Sequence, residues 1–155
     1  MKRISTVILI LVLLSLSVVN ASAIQVALDG KDVVFTEETG LPFIDLNNRT
    51  QVPFRVILEQ FGAEVDWDPA NRVAIATKDG IEVKVPIGEV FIYKNGVMIE
   101  NDTAAVVKDG RTYLPIRAVM EAFGKKVSWD GATKTILIDQ FAKEQPNVII
   151  YSTVW

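Results

Sequence analysis

An internal repeat is the feature that most constrains how this chain can fold. Residues 49–76 align without a gap to residues 111–138 at an offset of 62 positions, and 11 of the 28 aligned residues are identical. The shared positions read R-T-x-x-P-x-R, then E-x-F-G, then V-x-W-D. Two copies at so long a period do not fit a solenoid, which stacks several shorter repeats. The sequence therefore predicts two related structural units.

Each copy begins with a predicted short helix. Pro53 and Pro115 are expected in the first helical turn, where the missing amide of proline costs nothing. Gly62 and Gly124 are expected to end the helices in the left-handed conformation. Apolar residues recur at i, i+3, i+4 and i+7 in both copies: Phe54, Ile57, Leu58 and Phe61, then Ile116, Val119, Met120 and Phe123. This spacing predicts one buried stripe on each helix.

A strand is predicted after each helix, and it carries a tryptophan. Val65 and Trp67 alternate with polar residues, as Val127 and Trp129 do in the second copy. Residues two apart share one face of a strand, so we expect both indole rings in the core. Replacing a core tryptophan with alanine at position 129 should then cost about 3–5 kcal/mol. The alternative is that both rings are exposed platforms for carbohydrate.

Turn signals divide the rest of the chain into short strands. Asn95-Gly96 between two apolar runs is the strongest hairpin signal, and Asp-Gly pairs at positions 29, 79 and 109 mark three more turns. Residues 68–71 and 130–133 are also turn sequences. The expected fold is α+β, with two related units of antiparallel strands, each with one short helix, packed as one domain over residues 24–140.

The N-terminus has the pattern of a secretory signal peptide. Lys2 and Arg3 precede an apolar run over residues 7–19, and Ala21-Ser22-Ala23 supplies a small-x-small cleavage pattern. We expect residues 1–23 to be removed after Ala23, so that the protein is secreted or associated with the cell wall. The alternative is an uncleaved anchor, but the run is shorter than the ~20 apolar residues that span a bilayer.

Residues 141–155 form a C-terminal strand or tail in this interpretation. The segment 148–155 is rich in β-branched and aromatic residues and has no charged side chain. Such a strand is prone to aggregation when its edge is left unpaired. We expect it to add to a sheet of its own domain; the alternative is pairing with a partner.

The composition excludes several kinds of chemistry. The 155 residues, enough for about one domain, include no histidine and no cysteine, so disulfides, thiol catalysis and Cys/His metal sites are excluded. The net charge of −3 gives no basic surface for nucleic acid. We therefore predict no catalytic, cofactor-binding or metal-binding residues, and contact with a membrane only through the signal peptide before its cleavage.

Paired charges in the two copies suggest sites that have simpler explanations. Arg55 and Arg117 could bind anions, but each lies four residues before a glutamate, Glu59 or Glu121, on its helix. Pairing with Asp68 or Asp130 of the same unit is a second structural role.

A calcium site at Asp66 and Asp68 is also conceivable. The second copy, however, has Ser128 in place of Asp66, and Ala70 and Arg72 stand where further oxygen ligands would be needed. We therefore expect no calcium site at this position.

The repeated R-T-x-x-P-x-R, E-x-F-G and V-x-W-D motifs resemble the copper amine oxidase N-terminal domain family, whose members include stalk domains of bacterial exported proteins. The opening residues 26–31 (VALDGK) and residues 110–117 (GRTYLPIR) carry the resemblance best, and it covers residues 24 to about 140. It implies an accessory, non-catalytic module.

The oxidase chemistry itself is missing from this sequence. The resemblance implies that, in the family's enzymes, histidines hold the copper. It also implies that a tyrosine in an Asn-Tyr-Asp/Glu context forms the quinone cofactor of those enzymes. This chain has no histidine, and Tyr93, Tyr113 and Tyr151 lie in other contexts. The family resemblance therefore does not predict an oxidase activity.

Three functions remain open. The leading one is a non-catalytic exported interaction or stalk module acting at the cell surface or outside the cell, with a protein or cell-wall polymer as its partner. A cell-wall or polysaccharide binding module is the second, and it predicts exposed aromatic rings among Tyr93, Tyr113, Tyr151 and Trp155. A hydrolase using only carboxylates is the third, and it requires a deep pocket with a carboxyl group of raised pKa.

Overall fold

The computed structural model describes residues 23–140, in which strands predominate and two short helices complete a mixed α+β fold. The predicted signal peptide and the predicted strand of residues 148–155 lie outside the described residues, apart from Ala23, so both stay predictions. Neither helix within residues 23–140 is long and apolar enough to cross a membrane.

The two helices are α1 (Phe54–Phe61) and α2 (Ile116–Ala122). The strands are β1 (Gln25–Leu28), β2 (Lys31–Asp32), β3 (Phe43–Ile44), β4 (Thr50–Pro53), β5 (Glu64–Asp68), β6 (Val73–Lys78), β7 (Ile81–Pro86), β8 (Phe91–Lys94), β9 (Val97–Glu100), β10 (Val106–Lys108), β11 (Arg111–Pro115), β12 (Lys125–Asp130) and β13 (Thr135–Gln140).

The strands form three sheets, with orders β12-β13-β1-β2, β10-β11-β4-β3 and β5-β6-β7-β8-β9. The strand pairs are antiparallel, as expected, with one exception: β1 runs parallel to β13, and Gln25 lies opposite Thr135. The expectation of antiparallel pairing is wrong at this point. Only strands joined by a hairpin must be antiparallel, and no hairpin joins these two, which lie at opposite ends of the described chain.

Strands of the two copies pair at the centre of the second sheet. In the β4–β11 ladder, Val52 lies opposite Leu114, the residue at the corresponding position of the other copy, and both are fully buried. Tyr113 pairs with Pro53, and Pro115 pairs with Gln51, the residue that corresponds to Tyr113. β3 and β10 then flank this central pair on either side. Each half of the sheet therefore consists of one strand of the central pair and an outer strand: β4 with β3, and β11 with β10.

Both helices begin directly after this central pair of strands. Pro53 and Pro115 are the N-cap residues and still belong to β4 and β11, so their predicted place in the first helical turn is wrong by one position. Their φ values of −57° and −66° suit the end of a strand as well as the start of a helix. Proline therefore marks the change from strand to helix.

The predicted apolar stripes face a shared core. Ile57 and Leu58 of α1 and Val119 and Met120 of α2 are at most 1% exposed. The rings at the ends of the two stripes, Phe61 and Phe123, meet with their centroids 5.3 Å apart. The helices therefore pack into one hydrophobic cluster.

The predicted tight turns are confirmed. Asn95 and Gly96 have φ values of 48° and 79° between the paired residues Lys94 and Val97, which is the two-residue hairpin geometry. The three Asp-Gly pairs adopt the same positive φ values, and each joins paired strands. These turns fix the register of β1–β2, β6–β7, β8–β9 and β10–β11.

Candidate functional site

The two tryptophans of the repeated V-x-W-D motif lie in different environments. Trp67 is half-buried and packs against the core cluster, whereas Trp129 is 46% exposed. The expectation that both rings are buried is therefore wrong for Trp129. The alternation rule holds, since Val127 is buried two residues earlier on β12. Trp129 lies next to the turn at the end of β12, as Trp67 does on β5, so its position along the strand does not account for its exposure.

Trp129 lines an open groove of about 1190 Å³, which we call the Trp129 groove. Its lining comes from α2, from the β3–β4 hairpin, and from the β8–β9 hairpin with the segment that follows it. Residues of β12 and β13 complete the lining. The groove therefore combines an exposed aromatic ring with side chains from four parts of the described chain.

The arginines of the groove already have partners. Arg117 Nη1 donates to the backbone carbonyl of Val127 over 2.8 Å and lies 3.4 Å from Glu121 Oε1. Arg49 Nη2 lies 2.5 Å from Asp102 Oδ2, across the rim between β4 and the segment after β9. The predicted ion pair of Arg117 with the glutamate one turn later is confirmed. An anion would have to compete with these partners.

The corresponding ion pair on α1 is also confirmed, since Arg55 Nη1 lies 3.1 Å from Glu59 Oε1. Both partners are exposed, so the pair contributes little to stability. The other expected partners, Asp68 and Asp130, instead hold the turns that follow β5 and β12. The pKa of Asp68 is lowered by hydrogen bonds from Asn71, most strongly from its side chain and then from its amide. The pKa of Asp130 is lowered by hydrogen bonds from the side chain of Thr133 and the amide of Ala132.

Asp45 organises the rim of the Trp129 groove in the loop of the β3–β4 hairpin. Its carboxylate accepts hydrogen bonds from Thr103 Oγ1 (2.5 Å), Gln51 Nε2 (2.9 Å) and the amides of Asn47 and Arg49 (both 2.9 Å). Burial raises the pKa of Asp45, but these four hydrogen bonds outweigh burial and hold the pKa below its ordinary value. The carboxylate therefore fastens the β3–β4 loop to the segment after β9.

A second groove, of about 600 Å³, lies beside Trp67, and we call it the Trp67 groove. Its lining matches that of the Trp129 groove at corresponding positions, with Arg55 and Glu59 of α1 for Arg117 and Glu121. The wall opposite α1 is the β10–β11 hairpin, which contains Arg111, the residue that corresponds to Arg49. Each groove is therefore built from the helix of one copy and the hairpin that precedes the helix of the other.

Asp66 and Asp68, the two carboxylates considered for calcium, accept hydrogen bonds from neighbouring backbone amides. Asp66 Oδ1 accepts a hydrogen bond from the amide of Trp67 at 2.7 Å, and Asp68 Oδ1 accepts from the amides of Ala70 and Asn71. Within residues 23–140, no three acidic side chains converge as metal ligands would.

The aromatic residues named for a polysaccharide site do not form one in the described region. Tyr113 is 4% exposed and packs edge-on against Phe43, and Tyr93 is half-buried beside Phe91. Tyr151 and Trp155 lie outside the described residues. Among the large hydrophobic residues of the described region, Trp129 is the exposed aromatic one.

A sequence signal for the exposure of Trp129 lies on the helices. Phe54 and Val56 of α1 line the groove beside Trp67, whereas the corresponding residues of α2 are the smaller Ile116 and Ala118. Smaller neighbours cover less of the indole ring.

Comparison with known proteins identifies the family of this chain. Residues 27–138, well over half of the chain, match the family model described as the copper amine oxidase N-terminal domain. A relative, primary amine oxidase of Klebsiella aerogenes, is 29% identical over 89 residues, which are 57% of this chain. The chain spans only 11% of the length of that relative. By the match of residues 27–138, this chain belongs to the copper amine oxidase N-terminal domain family.

Proposed function

We propose that this chain is a non-catalytic interaction module that is exported and acts at the cell surface or outside the cell. The domain that defines its family is an accessory, non-catalytic domain of the amine oxidases. The observation that carries the proposal is the Trp129 groove, which offers an exposed ring and charges that are already paired. Such a surface suits reversible binding better than bond cleavage.

The carboxyl groups argue against the hydrolase alternative. A general acid needs a raised pKa, so that it still carries its proton at neutral pH. The pKa values of Asp45, Asp68 and Asp130 are instead lowered, because hydrogen bonds stabilise their ionised forms. These three carboxylates are therefore better suited to holding loops and turns than to donating protons.

Polysaccharide binding is the second candidate, and one observation favours it. Trp129 is 46% exposed and lines a groove whose lining combines apolar with charged and amide side chains. An aromatic face next to polar side chains can hold a sugar ring, whose two faces are apolar and whose edge carries hydroxyl groups. The candidate partner is therefore a cell-wall polymer.

The duplication supplies the architecture of this module in our proposal. We interpret the two copies as related units that meet at the β4–β11 pair, where Val52 lies opposite the corresponding residue Leu114. The two grooves lie at matching places relative to that pair. A duplicated domain of this kind presents two versions of one surface.

Cell fractionation combined with N-terminal sequencing tests export. We expect the protein outside the cell or on the wall, starting at Ile24, because the small residues at positions 21–23 match a cleavage site. Recovery of the intact chain from the cell interior would contradict the proposal. Co-sedimentation with purified peptidoglycan separates the two candidates, since the polysaccharide candidate requires the protein in the pellet.

A further inference from the structure

The Trp129 groove is the larger of the two grooves and contains an aromatic ring on which a sugar could stack. Its volume of about 1190 Å³ is nearly twice that of the Trp67 groove. Ligand sites in proteins commonly measure about 300–1,000 Å³, so this open groove is not too small for an oligosaccharide. The ring of Trp129 lines it with 46% of its surface exposed.

The turn after β12 supports the indole ring. A Cβ placed on Gly131 would lie 3.4 Å from Trp129 Nε1, so the nitrogen edge of the indole lies alongside the backbone of this turn. Asp130 Oδ1 accepts the amide of Ala132 at 2.9 Å and so stabilises the turn. The turn thus supports the nitrogen edge of Trp129, and the exposed part of the residue is available for stacking.

The charge of the lining indicates what kind of ligand fits. Three basic residues (Arg49, Lys94, Arg117) and three acidic residues (Glu100, Asp102, Glu121) line the groove, so their formal charges cancel. Arg49 is paired with Asp102, and Arg117 is paired with Glu121 and with a backbone carbonyl. A polyanion would have to break these pairs without finding an excess of positive charge. An uncharged ligand instead meets a lining rich in hydrogen-bond donors and acceptors.

The apolar part of the lining fits the same ligand. Ile44 and Ile99 on the hairpin side are 51% and 38% exposed, and both line the groove. Exposed isoleucines in the lining can contact the apolar faces of pyranose rings and the methyl group of an N-acetyl substituent. Asn48 and Asn101 add amide donors and acceptors to the same wall.

From these features we infer that the Trp129 groove binds an uncharged, N-acetylated polysaccharide strand, with one pyranose ring stacked on Trp129. This inference rests on the second proposed function and names its site and ligand class. The Trp67 groove serves as its internal reference. There the ring is packed against the core, and Arg111 donates to the carbonyl of Glu38 at 2.8 Å and 3.1 Å. It offers less open volume and a less accessible ring.

Titration calorimetry tests the inference. It measures the affinity of soluble N-acetylglucosamine hexamers for protein purified from its own cells. Trp129→Ala should weaken binding by about 10-fold or more, because stacking on an exposed aromatic anchor is lost. Trp129→Phe should recover most of the affinity, since it restores an aromatic face. Trp67→Ala is the matched control, and it should change affinity by less than about twofold despite a larger loss of stability.

Two further probes make the outcome decisive. A glucose hexamer without acetyl groups should bind more weakly than the N-acetylated hexamer, and dextran sulfate should not compete. Equal loss of affinity in Trp129→Ala and Trp67→Ala, preferential binding of the polyanion, or no binding of either hexamer would overturn the inference.

Wall binding separates this inference from the proposed function. If the wild type and Trp129→Ala sediment equally with peptidoglycan, the protein binds walls elsewhere, so the proposed function stands and this inference falls. If the hexamer binds in a Trp129-dependent way but walls do not, the inference stands and the cell-wall partner falls.

Discussion

Trp67 and Trp129 stand at corresponding positions of the two copies, yet Trp67 packs against the core and Trp129 is 46% exposed. Both belong to the same V-x-W-D motif and to the same kind of hairpin. Their surroundings outside the motif differ: Val56 of α1 lines the groove beside Trp67, and the smaller Ala118 of α2 takes the corresponding place. The repeated motif thus determines the local strand, whereas the exposure of its tryptophan depends on the neighbouring elements.

The hairpins opposite the two helices differ as well. The β10–β11 hairpin closes with the two-residue turn Asp109-Gly110, whereas the loop between β3 and β4 is longer and depends on hydrogen bonds to Asp45. The wall of the Trp129 groove is therefore held by a side chain and that of the Trp67 groove by backbone geometry. This contrast gives the comparison measurable consequences.

The largest effects should arise where the two copies are alike. Leu58 and Met120 occupy corresponding positions on α1 and α2, and both are fully buried. Each change to alanine should lower the free energy of unfolding by about 3 kcal/mol, because both leave a cavity in the shared core. Urea denaturation measures both. A difference of more than about 2 kcal/mol between the two variants would show that the helices are not equivalent in the core.

The tryptophans should respond unequally. Trp67→Ala should cost about 3 kcal/mol, and Trp129→Ala only about 1 kcal/mol, because less of the exposed ring is removed from water on folding. Denaturant melts of the two variants under identical conditions give the comparison. A cost of about 3–5 kcal/mol for Trp129→Ala would restore the original expectation of a buried ring and remove the basis of the Trp129 groove as a binding site.

An ion pair distinguishes the second copy from the first. The side chain of Lys125 is 7% exposed, and its Nζ lies 2.6 Å from Asp29 Oδ2; the corresponding residue in the first copy is Ala63. Asp29→Ala should cost about 2 kcal/mol, because it leaves a buried ammonium group unpaired while Asp29 itself is partly solvated. The double variant Asp29→Ala, Lys125→Ala should recover part of that loss, since it removes the uncompensated charge. Thermal unfolding of both variants checks this, and an unaffected single variant would contradict it.

Much of the fold could be predicted because its signals are local. The Asn95-Gly96 turn needs only two residues with positive φ, and the stripes on α1 and α2 need only helical periodicity. The parallel pairing of β1 with β13 could not be predicted, because it joins segments more than 100 positions apart in the chain and leaves no local pattern.

The candidate site was less predictable for the same reason. The groove forms where the hairpin of one copy meets the helix of the other, and the hydrogen bond between Thr103 and Asp45 spans 58 positions. The repeat showed which residues correspond, but whether Trp129 is covered depends on side chains from another part of the chain. The alternation of faces along β12 therefore predicts a buried Trp129, because this rule describes only the strand itself.

The smallest predicted effect concerns acid and the rim of the Trp129 groove. The folded-state pKa of Asp45 lies below its unfolded value, which for aspartate is about 3.9, so its ionised form stabilises the fold above that pH. This contribution is lost as the pH falls through the lower, folded-state pKa. Asp45→Asn should cost about 1 kcal/mol at pH 7, because hydrogen bonds to an ionised acceptor become weaker.

The difference in stability between the wild type and Asp45→Asn should therefore shrink as the pH falls from 5 towards 2. Denaturation of both proteins across this range measures it, and subtracting the variant removes the similar contributions of Asp68 and Asp130, whose pKa values are also lowered. The corresponding position in the second copy is Val107, which cannot titrate, so acid should loosen the rim of the Trp129 groove and spare that of the Trp67 groove. Hydrogen exchange of the Asn47 and Arg49 amides, compared with those of β10 and β11, would locate the effect. Equal acceleration in both hairpins would show that Asp45 does not hold this rim.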